Sequence, residues 1–123
     1  MSGEARQNVA RPQVVSLPAL QPVPCPCGLA RRAFADQSHF PGTVHLTEIT
    51  EIARTHYHRR QTEIYVILEC SPDAAIELDG VFRAVKPLDA VLIPPLVRHC
   101  GIGRMRVLIL CSPAFDPADE YEE

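Results

Sequence analysis

The sequence lacks several features that would point to particular partners. No apolar run approaches the roughly 20 residues that a membrane-spanning helix needs, so we expect no membrane association. The net charge of −3 leaves no basic excess for binding nucleic acid. The first residues lack the apolar core of an export signal, and five cysteines cannot all pair within one chain. We therefore expect a cytoplasmic protein in a reducing compartment.

The sequence also lacks an internal repeat and a long helical period. Short apolar runs alternate with turn residues instead, a pattern typical of an all-β protein. The predicted strands are Thr43–Ile49, Ala53–His58, Glu63–Glu69, Ala75–Asp79, Val81–Val85, Ala90–Ile93 and Met105–Cys111. So many strands in 123 residues must close into a small antiparallel barrel or sandwich.

Composition divides the chain into three segments. Residues 1–24 are rich in proline, which excludes a helix and favours an extended N-terminal arm. Residues 25–115 contain the strands and form the predicted barrel domain. Residues 116–123 are an acidic C-terminal tail, which we expect to be solvated.

The sequence THYHRRQTEIY, in the middle of the chain, brings His56, His58 and Glu63 close together. Residues two apart on a strand share a face, so the two histidines point the same way. If residues 59–62 form a hairpin loop, Glu63 lies opposite His58 and Tyr65 lies opposite His56, all on one face. Imidazoles and a carboxylate together suit a divalent transition metal such as Fe, Mn, Ni, Co, Zn or Cu. The alternative is a solvated hairpin that carries the same residues without a metal.

The stretch HYHRRQTE is followed downstream by KPLDAVLIPPLVRH, residues 86–99. These two stretches resemble, in order, the two sequence motifs of the cupin superfamily, and the similarity covers roughly residues 40–112. The first motif is His-x-His, four residues and Glu, and the second supplies a further His after a Pro-containing turn. The resemblance implies a cupin-type double-stranded β-helix (a small antiparallel β-barrel, or jelly roll) with a divalent metal inside. The metal ligands that it implies are His56, His58, Glu63 and His99.

The chain departs from the cupin pattern at several glycine positions. Cys70, Leu88 and Leu96 stand where the family usually has Gly. A non-glycine residue at positive φ costs about 1–2 kcal/mol, so we expect these turns to adopt another shape. Leu96 matters most, because its turn aims His99.

Three further residues are candidates for catalysis. The hairpin register places Tyr65 beside His56, where it could assist the metal ligands. His45 lies on an alternating strand and would either exchange protons in the cavity or serve as a structural histidine. Arg54 has the same parity as His56, so it could reach an anionic substrate from the cavity rim.

The segment Cys25-Pro26-Cys27-Gly28 invites a metal or redox interpretation. C-x-C spacing is too short for the usual zinc pairing, and no partner cysteine pair is evident. We therefore interpret Cys25 and Cys27 as two thiols on an extended arm.

We interpret the chain as a metal-dependent cupin acting on a small-molecule ligand or substrate. The resemblance allows a dioxygenase or an isomerase, and it equally allows a non-catalytic binding or sensing module with an anchoring metal. No nucleotide-binding loop or nucleophile–base pair narrows the choice. Because cupins commonly pair, and because the apolar residues of the arm have little to bury against alone, we expect a homodimer in which the arm lies on the neighbouring subunit.

Overall fold

The computed structural model describes residues 11–37, 39–50 and 53–122, and within them the chain is built mainly from β-strands. The strands are β1 (Val23–Cys25), β2 (Gly28–Ala33), β3 (Thr43–Ile49), β4 (His56–Tyr57), β5 (Thr62–Cys70), β6 (Ala75–Leu78), β7 (Val81–Ala84), β8 (Ala90–Ile93), β9 (His99–Ile102), β10 (Met105–Ser112) and β11 (Tyr121–Glu122). The helical segments of these ranges are two 3-10 turns, Leu17–Ala19 and Pro117–Asp119. No helix in the described ranges is long and apolar enough to cross a membrane.

The strands form two antiparallel sheets that share one core. Sheet A has the order β1-β2-β3-β10-β5-β8, and sheet B has the order β11-β4-β9-β6-β7. Ile67 and Val107 of sheet A and Ile76 of sheet B are fully buried in this core. The chain crosses repeatedly from one sheet to the other. This arrangement confirms the predicted all-β fold, a cupin-type double-stranded β-helix.

Alternation along β10 determines which side chains line the interior. Every second residue from Met105 to Cys111 is buried, because successive strand residues point to opposite faces. The pairing register extends this inner face to the neighbouring strands, where His45 and Tyr65 both lie opposite Ile109. Sheet A therefore presents a polar row as well as apolar residues to the interior.

Each predicted strand overlaps an observed one, although Ala53–His58 shortens to the two residues of β4. The sequence interpretation missed β1, β2, β9 and β11. Strand β2 carries two arginines and β9 begins with a histidine, so neither has the apolar alternation that marks a strand. These strands are instead defined by their backbone pairing with neighbouring strands.

Two leucines adopt the left-handed conformation that favours glycine. Leu88 has φ 72° and Leu96 has φ 74°, so the expectation that these turns change shape is wrong. Backbone hydrogen bonds attach both turns to other parts of the chain, from the Leu88 N–H to the Ile67 carbonyl (2.7 Å) and from the Leu96 N–H to the His58 carbonyl (2.6 Å). Both turns therefore keep a backbone conformation that favours glycine, without a glycine.

The N-terminal segment corrects the interpretation of the paired cysteines. Cys25 and Cys27 are joined by a disulfide rather than carrying two thiols. The tight turn between β1 and β2 brings their Cα atoms within 5.2 Å. At the end of this turn Gly28 has φ 143°, and an added Cβ there would collide with the Glu48 carbonyl oxygen. Strand β1 spans the boundary drawn at residue 24, and the division into three segments stays a prediction.

The acidic C-terminal segment is not a solvated tail. The Asp119 side chain is only 1% exposed. Its carboxylate accepts hydrogen bonds, each 3.0 Å long, from the backbone N–H groups of Arg59, Arg60 and Gln61. Strand β11 then pairs with β4. The end of the chain therefore fixes the loop that connects His58 to Glu63.

Candidate metal centre

Four side chains from three parts of the barrel meet in its interior. His56 on β4 stands opposite His99 on β9, His58 follows β4 directly, and Glu63 comes from β5. One potential ligand atom from each residue can be chosen so that all four atoms lie within 4.8 Å of one another. All four residues are buried, with exposures between 1% and 4%. The structure therefore brings together the four residues predicted as metal ligands.

These four residues are brought together by the packing of the two sheets and not by the predicted hairpin. Strand β4 pairs with β9 and β11 in sheet B, whereas β5 pairs with β10 and β8 in sheet A. Residues 59–61 do not form a β-hairpin loop, because their N–H groups bind Asp119 and the chain crosses between the sheets. Glu63 consequently approaches His58 from the other sheet. The predicted hairpin register is wrong, but the predicted convergence occurs.

Three polar atoms of this cluster have no hydrogen-bond partner among the described residues. His58 Nε2, Glu63 Oε1 and His99 Nε2 are buried without one. His99 Nε2 lies 3.2 Å from Glu63 Oε1, and His58 Nδ1 lies 3.6 Å from it, so the pairs are close without the alignment of hydrogen bonds. Each unsatisfied buried polar group costs about 1–3 kcal/mol. A cation bound by nitrogen and oxygen would offset this cost, so the residues fit a metal.

Two of the histidines are oriented by backbone carbonyls. His56 Nδ1 lies 3.1 Å from the carbonyl of Arg54, and His99 Nδ1 lies 2.9 Å from that of Val97. Such bonds place the proton on Nδ1 and leave Nε2 free to bind a metal. This is the usual arrangement of a metal-binding imidazole.

The charge states of the cluster also suit a metal. Burial, followed by the nearby His99 ring, lowers the pKa of His56 to about 4. Burial likewise lowers the pKa of His58. Burial alone would raise the pKa of Glu63, but the three surrounding imidazoles outweigh it and hold this pKa below its usual value. The lowered pKa values favour neutral imidazoles at His56 and His58 and a carboxylate at Glu63, the forms that bind metals.

Tyr65 lies near the cluster but not where the hairpin register placed it. It stands opposite Ile109 and Val91 in sheet A, not opposite His56. Its ring centroid is 6.1 Å from that of His99, in an edge-to-face arrangement. Burial, reinforced by the charge of Glu63, raises the pKa of Tyr65 well above its usual value. The side chain therefore remains a neutral phenol.

His45 is buried and anchored to the same inner face. Its Nε2 is hydrogen-bonded to Thr43 Oγ1 at 2.7 Å, and its ring meets the Phe115 ring edge-on. Burial, together with the charge of Arg32, lowers the pKa of His45 to about 4. His45 is thus a neutral residue of the interior. Its part in proton exchange stays a prediction.

Arg54 lies outside the barrel interior. Its side chain is 62% exposed and forms a 3.1 Å ion pair with Glu122. The guanidinium is therefore engaged at the surface by the end of the chain. A role in binding an anionic substrate from the rim stays a prediction.

Two charged residues near the cluster were missed from the sequence. Arg32 and Glu120 interact electrostatically with each other and with Glu63. Glu120 Oε1 lies 4.0 Å from His58 Nε2. Arg32 was missed because β2 lacks apolar alternation, and Glu120 because its segment was expected to be solvated. Of these two residues, only Arg32 could have been found from the sequence. It lies two residues after Ala30, which is buried, and residues two apart on a strand share a face.

The comparisons with known proteins agree with this architecture. No family model matches this chain, and no curated protein does either. A protein from Planctomyces limnophilus, of known crystal structure, is 48% identical over 91% of this chain and 97% of its own, with a TM-score of 0.87. The Streptomyces protein Pac13, described as a nucleoside dehydratase, is 15% identical over 92% of each chain, with a TM-score of 0.77. Ectoine synthase from P. lautus is 15% identical over 91% of this chain and 90% of its own, with a TM-score of 0.72.

At 15% identity the likeness to Pac13 and ectoine synthase shows the fold alone. Both have the cupin fold. The two antiparallel sheets and the order of the sequence motifs agree with that fold. The chain therefore has the cupin fold.

Proposed function

We propose that this cupin holds a divalent transition metal at His56, His58, Glu63 and His99 and uses it to transform a small molecule. The observation that carries the proposal is the buried cluster of three imidazoles and one carboxylate, in which three polar atoms have no hydrogen-bond partner among the described residues. Structural histidines usually satisfy their ring nitrogens within the protein. Here the arrangement would be costly without a cation.

Proton transfer of the isomerase or dehydratase kind is the reaction class that we favour. A bound metal would supply Lewis-acid polarisation of an oxygen atom of the substrate. The chain's own groups near the cluster handle protons: Tyr65 stays a phenol that can donate a hydrogen bond, and burial raises the pKa of Glu120. The dehydratase Pac13 has the same fold at 15% identity. Dioxygenase chemistry at an iron-loaded site is the second candidate, because imidazoles and a carboxylate also suit Fe(II).

The test combines two assays of the metal-loaded protein against small acids, phenols and nucleosides. Proton NMR would detect product formation, and an oxygen electrode would detect dioxygen uptake. We expect products without dioxygen uptake, and a lower rate in Tyr65→Phe. Turnover coupled to dioxygen uptake would favour the dioxygenase. Saturable binding without any turnover would favour a binding or sensing module.

We further propose that the protein is a homodimer in which the outer face of sheet A is covered by a second copy. On this face Leu110 stands opposite Ile64, which in turn stands opposite Leu92. Their exposures are 39%, 38% and 62%. A continuous exposed apolar row of this kind marks an interaction surface. It stays a prediction that the N-terminal arm contacts the neighbouring subunit. The cytoplasmic location is likewise still a prediction.

A further inference from the structure

We propose that the small molecule bound beside the metal cluster carries a carboxylate group, and that Arg32 binds it. This inference rests on the proposed function, because it names the substrate class of the same site. The Arg32 guanidinium is not one of the four candidate metal ligands. Among the described residues it forms no ion pair shorter than 4 Å.

The sheet register directs Arg32 toward the interior. Arg32 on β2 stands opposite His45 on β3, and His45 and Tyr65 both stand opposite Ile109 on β10. Directly opposed residues of an antiparallel sheet share a face. His45, Ile109 and Tyr65 are each at most 2% exposed, so this row lines the barrel interior. Arg32 is the cationic end of that row.

Arg32 and the metal cluster share one neighbourhood. The charges of Glu120 and Glu63 both act on the Arg32 guanidinium. Glu120 in turn lies 4.0 Å from His58 Nε2, at the edge of the cluster. A molecule that contacts the cluster and extends past Glu120 would then approach Arg32.

The guanidinium is held in place by an aromatic ring. Arg32 Cζ lies 3.7 Å from the centroid of the Phe115 ring. Phe115 is itself fixed, because its backbone N–H donates to Thr43 Oγ1 (3.1 Å) and its ring meets the edge of His45. A guanidinium stacked on a fixed ring keeps its N–H edge free and loses little entropy when it binds.

The N–H edge of Arg32 requires an acceptor that the described residues do not supply. Arg32 Nε is buried and has no hydrogen-bond partner. An arginine keeps its charge under all ordinary conditions, so the N–H group cannot be neutralised by losing a proton. Two parallel N–H donors match the two oxygens of a planar carboxylate. Phosphate is also an anion but has a tetrahedral shape, and the test separates the two.

The experiment measures binding of acetate, glycolate and malonate, of their uncharged amides, and of inorganic phosphate by calorimetry. It uses the full chain in four forms: wild type, Arg32→Gln, Arg32→Lys and the control Arg83→Gln, which changes an exposed arginine on β7. Each protein is measured with metal loaded. His58→Ala and the double variant His58→Ala/Arg32→Gln repeat the series with the cluster disrupted, so that direct binding of carboxylate to metal is excluded.

We expect at least one carboxylate to bind wild type and Arg83→Gln, and its amide and phosphate to bind more weakly. In Arg32→Gln carboxylate binding should fall about tenfold to hundredfold, the effect of losing a charge-assisted pair of hydrogen bonds. Arg32→Lys should recover part of it, and all four proteins should hold equal metal. His58→Ala should still bind carboxylate, and the double variant His58→Ala/Arg32→Gln should not.

Three results would overturn the proposal: no carboxylate binds, phosphate binds better than every carboxylate, or Arg32→Gln binds carboxylate as well as wild type. Failure of the proposed function has a different signature. Wild type would then hold no metal, while carboxylate binding would still depend on Arg32. Circular dichroism of the Arg32 variants is the control for folding.

Discussion

His56 and His99 stand directly opposite each other across the antiparallel pair of β4 and β9, with ring centroids 4.2 Å apart. This contact joins the two motifs of the cupin sequence into one site. Because β4 spans only two residues, its position depends on β9 on one side and on β11 on the other. The metal cluster is therefore sensitive to the loop and the chain end that hold β4.

Asp119 should be a major determinant of stability. Asp119→Ala leaves the N–H groups of residues 59–61 without their buried acceptor, and hydrogen bonds to a charged group contribute about 1.5–3 kcal/mol each. We expect the free energy of unfolding to fall by about 3 kcal/mol or more. Urea denaturation followed by circular dichroism measures it. Asp73→Ala, at an exposed loop position, is the control and should change little.

Replacing Leu88 by glycine should stabilise the protein. Leu88 is 81% exposed at φ 72°, so its side chain adds strain and little packing. Relief of about 1–2 kcal/mol of strain outweighs about 0.4–1 kcal/mol of added unfolded-state entropy. We expect a gain of about 0.5–1 kcal/mol, measured by urea denaturation. Leu92→Gly, at an exposed leucine within β8, should destabilise the protein. A loss of stability in both variants would show that φ strain at Leu88 is unimportant.

Stability should decline in acid partly because of His45. The folded state keeps this imidazole neutral down to its pKa of about 4, whereas the unfolded chain protonates it near 6.5. Its contribution is thus complete above pH 6.5 and is lost as the pH falls toward 4, at about 1.4 kcal/mol per pH unit.

In His45→Gln the loss of stability between pH 7 and pH 4.5 should be smaller than in wild type by about 2–3 kcal/mol. Both proteins are treated with a chelator, so that metal release does not contribute. His39→Gln, at an exposed position, is the control and should follow the wild-type curve. An unchanged pH dependence in His45→Gln would count against a buried neutral His45.

The proposed dimer predicts that one charge on the outer face of sheet A separates the subunits. Ile64→Glu places a carboxylate in the middle of the row that Leu110 and Leu92 complete. Static light scattering at high micromolar concentration should show a dimer for wild type and a monomer for the variant. Val81→Glu, at an exposed position of sheet B, should remain dimeric. A wild-type monomer would contradict the proposal.

The sequence was sufficient to predict seven of the eleven strands and the four residues that meet in the candidate metal site. Strand alternation and the order of the two motifs depend on neighbours in sequence, which can be read directly. The partner of β4 could not be predicted, because pairing with β9 depends on closure of the whole barrel. Arg32 was missed for a similar reason, because its strand lacks apolar alternation and is defined by its pairing with β1 and β3.

The other wrong predictions concern residues whose backbone conformation or burial depends on hydrogen bonds to distant parts of the chain. Leu88 and Leu96 occupy glycine conformations because surrounding hydrogen bonds outweigh a local cost of about 1–2 kcal/mol each. Asp119 and Glu120 looked like members of a solvated acidic run, but hydrogen bonds to a distant loop bury Asp119. Composition records the charge of such residues but not the partners that the fold brings to them.

The metal content of variants that each lack one candidate ligand tests most directly whether this cluster binds a metal ion. Wild type, His56→Ala, His58→Ala, His99→Ala and the exposed control His39→Ala are purified without added metal, gel-filtered and analysed by inductively coupled plasma mass spectrometry. We expect about one metal ion per chain in wild type and His39→Ala, and almost none in the three cluster variants, because each loses a buried ligand. If the three cluster variants all retain the full metal content of wild type, these residues do not form the metal site.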